Sequence, residues 1–184
     1  MRKVIYAISA LGLCGLAGSV GFVSPKSPTA RDMRPIWTET RWPFPVDQWG
    51  AGKAFVCEAA DCGTALTLYV RAKIGFCNCK TGVADDEELE RVADKEFIDG
   101  WTSALGSGRS IAVGGMKGRS RAYAISKPFF PQKSVVTIAI NERCDAIVAT
   151  TLVDDRRPTR IEPAILDFLR SDMMLRWAEV TLGL

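Results

Sequence analysis

Residues 134–153 read SVVTIAINERCDAIVATTLV and contain two strongly apolar runs, 135–140 and 146–153, joined by the five residues 141–145. Nearly continuous hydrophobicity over six to eight residues is typical of a strand that is covered on both faces. A short connection between two strands favours antiparallel pairing. This stretch therefore predicts an antiparallel hairpin at the centre of a sheet.

Three further stretches predict strands beside this hairpin. From Leu66, apolar residues alternate with Thr67, Tyr69, Arg71 and Lys73, which is typical of a half-buried strand with one face in water. Residues 108–127 predict two strands around a glycine-rich turn at 114–118. Residues 53–58 predict a short strand.

Two segments have helical patterns. In residues 85–101, Asp85 can cap a helix, Glu88 follows three positions later, and Gly100 can end it. A second helix is predicted from Glu162, with an apolar stripe of Leu166, Leu169, Met173, Trp177 and Val180. The order of elements predicts an α+β fold, in which a mostly antiparallel twisted sheet carries two helices packed on one face.

The first 23 residues, MRKVIYAISALGLCGLAGSVGFV, place Arg2 and Lys3 before a long uncharged run. Such a run is either a cleaved secretory signal or a membrane anchor through residues 4–23. Residues 24–34 predict a linker, and residues 35–184 a single disulfide-stapled domain. We therefore expect a periplasmic protein, anchored to the inner membrane if the segment is retained.

Charge and composition exclude several classes of function. The formal charge is +3 over 184 residues and falls to +1 without Arg2 and Lys3. A nearly neutral body argues against nucleic-acid binding. The chain contains no histidine, which excludes Ser-His-Asp and Cys-His catalysis and histidine-ligated zinc or haem. No cofactor or metal is predicted.

The cysteines of the body predict disulfides. Their positions are Cys57, Cys62, Cys77, Cys79 and Cys144. A strand over 64–76 would hold Cys62 and Cys77 about 45 Å apart, which is too far for one metal or one disulfide. The predicted pairs are Cys57–Cys62, and Cys144 with either Cys77 or Cys79. The cysteine left over could bridge to another chain or exchange with its neighbour.

Two sets of residues are candidates for a partner surface. Trp37, Trp42 and Trp49 lie in a proline-rich stretch, which is either a segment at the membrane interface or an extended strap over the core. The second set is basic and surrounds the glycine-rich turn, where an anionic partner could dock. It consists of Arg109, Lys117, Arg119 and Arg121.

These observations favour a non-enzymatic accessory of the bacterial envelope that binds or assembles with a protein partner. One alternative is a thiol–disulfide oxidoreductase that uses Cys77 and Cys79. Another is a structural subunit of a membrane complex that docks through the tryptophan segment.

Overall fold

The computed structural model describes residues 35–130, 132–155 and 157–184. Their strands form one eight-stranded sheet, with the strand bounds β1 Thr38–Thr40, β2 Lys53–Cys57, β3 Leu66–Lys73, β4 Trp101–Ala104, β5 Arg109–Val113, β6 Met116–Ser126, β7 Lys133–Glu142 and β8 Asp145–Val153. The helices are α1 Ala59–Cys62, α2 Asp86–Val92, α3 Glu162–Leu169 and α4 Asp172–Leu182. The α+β class is confirmed.

The sheet order is β1-β2-β3-β8-β7-β6-β4, and β5 also pairs with β6. Every pairing between these strands is antiparallel. The hairpin of β7 and β8 occupies the centre, as its apolar sequence predicts. The hairpin of β5 and β6 is also confirmed, although its turn consists only of Gly114 and Gly115, whose positive φ angles of 56° and 86° suit a two-residue turn.

Helices cover both faces of the sheet, so the prediction that they share one face is wrong. The helices α3 and α4 pack on the face that carries Ile138 and Ala149. The helix α2 packs on the opposite face, against Ala139 and Val148. Neighbouring residues of a strand point to opposite faces, and both faces of β7 and β8 are apolar. Each face therefore requires its own cover.

The polar face of β3 is also covered, contrary to the prediction of a wet face. Arg71 and Lys73 are only 2% and 4% exposed. An aromatic strap, residues 35–49, contains the edge strand β1, and the part that follows β1 lies over this face. Trp42 and Phe44 of the strap contact Tyr69 of β3 with ring centroids 6.0 and 4.8 Å away.

The predicted helices are shorter than their sequence patterns. The helix α2 ends at Val92 instead of Gly100, because Ala93 is extended and Asp94 turns inward. The second helix is broken, and Ser171 caps α4 by accepting a hydrogen bond from Met174 N. The break changes the buried face of α4: Val180, a member of the predicted stripe, is 83% exposed.

The expected signal or anchor at residues 1–23 and the linker at 24–34 lie outside the described residues. Among the residues that are described, no helix is long and apolar enough to cross a bilayer.

Candidate functional site

A buried ionic cluster lies between β3, α2 and the strap. The Arg71 guanidinium donates to the Asp94 carboxylate through Nε (2.9 Å) and Nη2 (2.6 Å), and to Asp47 Oδ2 at 2.6 Å. Lys73 Nζ lies 2.6 Å from Asp94 Oδ1 and donates to the last carbonyl of α2, Val92 O, at 2.8 Å. Burial raises the pKa of Asp94. The hydrogen bonds from Arg71 and Lys73 act in the opposite direction but do not offset the effect of burial.

This cluster ties the strap to the sheet. Asp47 belongs to the strap, whereas Arg71 belongs to β3 and Asp94 follows α2. The Arg71 guanidinium also lies over the Phe97 ring, 4.7 Å from its centroid. Arg71 and Asp94 are each 2% exposed, whereas the Asp47 side chain is 42% exposed, so the cluster joins the buried sheet to the surface strap and holds three parts of the fold together.

The structure places Cys57 against Cys62 and Cys79 against Cys144 as disulfides. Cys77 is a buried thiol whose Sγ lies 3.3 Å from Arg143 O. These disulfides are consistent with an oxidising compartment outside the cytoplasm.

The environment of Cys77 does not activate its thiol. Burial raises the pKa of Cys77, and the carboxylates of Glu88 and Asp145 raise it further. Because the thiolate is the nucleophile in disulfide exchange, this environment opposes attack on the neighbouring Cys79–Cys144 bond.

The predicted basic set divides into three paired arginines and one exposed lysine. Arg109 pairs with Glu162, and Arg119 and Arg121 pair with acids of α2. Lys117 is exposed and makes no ion pair within the described part of the chain. The arginines therefore fasten helices to the sheet, because each carboxylate partner belongs to a helix.

The three tryptophans of the strap are half-buried against rings of the same chain. Trp37 stacks on Phe168 with centroids 4.9 Å apart, and Trp49 lies 4.7 Å from Phe76. Trp42 joins Phe44 and Phe97. The extended strap is therefore the interpretation that agrees with the structure.

Another set of aromatic side chains is exposed, and sequence analysis missed it. Trp101, at the start of β4, is 72% exposed, and Phe129 and Phe130 are 105% and 62% exposed. We call these three residues the aromatic surface. The sequence signal was the Lys-Pro-Phe-Phe run at 127–130, since two adjacent aromatics beside a proline fit poorly within a strand.

Two cavities of about 340 and 270 Å³ adjoin the aromatic surface. Both are lined by Ile125, Lys127 and Phe130, and Trp101 lines the larger one. The turn that presents the phenylalanines is unusual, because Phe129 has a φ of +65°, in the left-handed region that favours glycine. A bulky residue in this conformation is strained, and such strain is frequent at functional sites.

Comparisons with known proteins identify no family. No family matches this sequence, and no curated protein matches it. Among solved structures, a protein of unknown function from Pseudomonas aeruginosa, named as a candidate regulator, aligns over 80% of this chain and 86% of its own. The identity is 11% and the TM-score is 0.39.

Proposed function

We propose that the protein is a non-enzymatic accessory of the bacterial envelope that binds an extended segment of a partner protein along β4. The observation that carries this proposal is the aromatic surface beside an edge strand. Large exposed aromatic side chains grouped on one surface are typical of interaction sites. Trp in particular is enriched among the residues that dominate binding energy.

The free edge of β4 is the second feature that supports binding of an extended segment. Within the described residues, β4 pairs on one side only, with β6. A strand at the edge of a sheet presents unpaired N–H and C=O groups that a further strand can join. Trp101 lies on β4 itself and lines the larger of the two cavities, which can accept apolar side chains from that added strand.

The expected ligand chemistry follows from strand geometry. Side chains of an added strand alternate between the two faces of the sheet. Every second side chain of the partner would therefore face the larger cavity, while the others face away. We infer a partner segment with apolar residues at alternating positions and a backbone free of proline.

A displayed library of random peptides tests this proposal with the oxidised protein as bait. We expect enriched sequences whose apolar residues alternate. A synthetic consensus peptide should bind at least about tenfold more weakly to Trp101→Ala, because loss of a buried Trp contact costs 2 kcal/mol or more. Val180→Ala is the matched control, since Val180 is an exposed apolar residue on α4.

A second variant distinguishes a loss of binding from a loss of folding. Phe129→Gly removes an aromatic ring at a position where the turn favours glycine, so it should fold normally while weakening binding. Enrichment without alternation would contradict the proposal. Equal binding of the consensus by the wild type and both surface variants would also contradict it.

The two alternatives have less support. Catalysis of disulfide exchange would need Cys77 as an accessible thiolate, but the thiol is buried and its pKa is raised. Docking through the tryptophan segment would compete with the contacts that Trp37, Trp42 and Trp49 make within the chain.

A further inference from the structure

A basic pocket lies at one end of the sheet, where three connecting segments meet. Its volume is about 290 Å³. The walls come from the loop after β3, the turn between β5 and β6, and the turn between β7 and β8. Its charged lining residues are Lys80, Lys117, Glu142 and Arg143, and Gly82 and Asn141 also line it.

The three cations of the basic pocket differ from their neighbours. Lys80, Lys117 and Arg143 are exposed and have no carboxylate within ion-pair distance in the described part of the chain. By contrast, the nearby Arg91 and Arg119 are paired with Glu88 and Asp86. With Glu142 also in the lining, the pocket has a formal charge of +2.

The walls of the basic pocket are held rigidly. The Cys79–Cys144 disulfide joins the loop to the β7–β8 turn, and Cys77 N donates to Cys144 O at 2.9 Å. Asn141 Oδ1 accepts from Val83 N at 2.9 Å. Gly82 has a φ of +62°, and a Cβ there would come within 2.3 Å of the Asn141 amide. The cations are thus carried by backbone that is already ordered.

We propose that the basic pocket binds the phosphate group of a small phosphomonoester or of a lipid headgroup. A phosphate group carries a charge of about −1.5 to −2 and three acceptor oxygens, which complement the charge of the pocket and its three cationic side chains. A single carboxylate would neutralise only half of this charge. The mutual repulsion of the three cations is relieved when the phosphate is bound.

Calorimetric titration of the oxidised full chain with glycerol 3-phosphate tests binding of the soluble form. Arg143→Ala should weaken binding about tenfold, the effect of losing one hydrogen bond to a charged group. Arg41→Ala is the matched control, because Arg41 is an exposed arginine directly after β1, and three strands separate β1 from β7 in the sheet. Lys117→Ala should behave like Arg143→Ala.

Vesicles of phosphatidylcholine, with and without phosphatidic acid, test the lipid form by flotation. Binding that requires phosphatidic acid and is lost in Arg143→Ala would assign the pocket to a headgroup. Binding of glycerol 3-phosphate alone would assign it to a soluble ester. The proposal fails if neither probe binds, if acetate binds as tightly as glycerol 3-phosphate, or if Arg143→Ala and Arg41→Ala are equivalent.

Discussion

At the scale of single residues, Arg71 shows how a polar position of a strand can become part of the core. Its place in the alternating pattern of β3 predicts exposure, yet it is one of the largest fully buried side chains. Burial of the charge is tolerated because Asp94 and Asp47 accept its hydrogen bonds. Such a group is costly to leave unpaired in a protein interior.

Replacing Arg71 with methionine should lower the free energy of unfolding by about 3–5 kcal/mol, because Asp94 would keep a buried charge with only Lys73 as partner. Urea denaturation measures this change. Lys53→Met is the control, since Lys53 and Glu39 form an exposed pair, whose loss should cost less than about 1 kcal/mol. Similar losses in the two variants would contradict a structural role for the cluster.

At the scale of elements, α2 is fastened to the sheet by the acids of its first turn. Asp85 caps the helix by accepting from Glu88 N at 2.8 Å. Asp86 accepts from Gly108 N and pairs with Arg119, while Glu88 accepts from Asn78 N and pairs with Arg91. These acids satisfy amide groups and complement the helix dipole. The short helix therefore depends on the ionised form of Asp86 and Glu88.

This dependence predicts a loss of stability in acid. The hydrogen bond from Arg119 lowers the pKa of Asp86, and that from Arg91 lowers the pKa of Glu88. Because the folded-state pKa values are depressed, the unfolded chain binds protons first as the pH falls. The stabilisation that Asp86 and Glu88 contribute is fully present above their unfolded-state pKa values of about 4. It is lost as the pH falls through their folded-state pKa values.

Urea midpoints measured from about pH 6 to about pH 3 check this expectation. Asp86→Asn and Glu88→Gln should each flatten the fall in stability. Glu87→Gln is the matched control from the same turn, since Glu87 is exposed and makes no ion pair among the described residues. A fall as steep in Asp86→Asn as in Glu87→Gln would show that these pairs do not contribute.

At the scale of the whole molecule, the Cys79–Cys144 disulfide joins parts of the chain that are 65 residues apart. It connects the loop that leads into α2 with the turn between the two central strands. The Cys57–Cys62 disulfide closes only five residues around α1. In the chain-entropy treatment a longer closed loop removes more freedom from the unfolded state.

The double variant Cys79→Ala/Cys144→Ala should lose about 4 kcal/mol of unfolding free energy, against about 2 kcal/mol for Cys57→Ala/Cys62→Ala. Double variants are needed because a single change at Cys79 would leave Cys144 free to react with Cys77. Denaturant titration of both proteins measures the two losses. The reverse order of losses would show that native-state strain, not loop length, governs these bonds.

Local patterns in the sequence were sufficient for the elements whose stability is local. The apolar runs of residues 134–153 predicted the central hairpin, and the glycine-rich stretch 114–118 predicted the turn before β6, although the turn itself is only Gly114 and Gly115. Asp85 predicted the start of α2. Each of these features depends on residues within a few positions of one another, so hydrophobic period, capping and turn chemistry determine it.

Contacts between distant segments decided which side chains are buried and where the candidate binding sites form. Only the folded chain brings Asp47 and Asp94 to Arg71. These contacts allow the polar face of β3 to be buried. Only the packing of Cys77 beneath α2 distinguishes it from Cys79, two residues away. The exposed Trp101 and the pocket around Lys117 likewise arise where separate loops and strands meet. The sequence by itself determined the strands β2, β3 and β5 to β8, the start of α2 and the turn before β6. Tertiary structure decided where β1 and β4 form, where the helices end and which faces are covered, because these features depend on contacts between residues far apart in the chain.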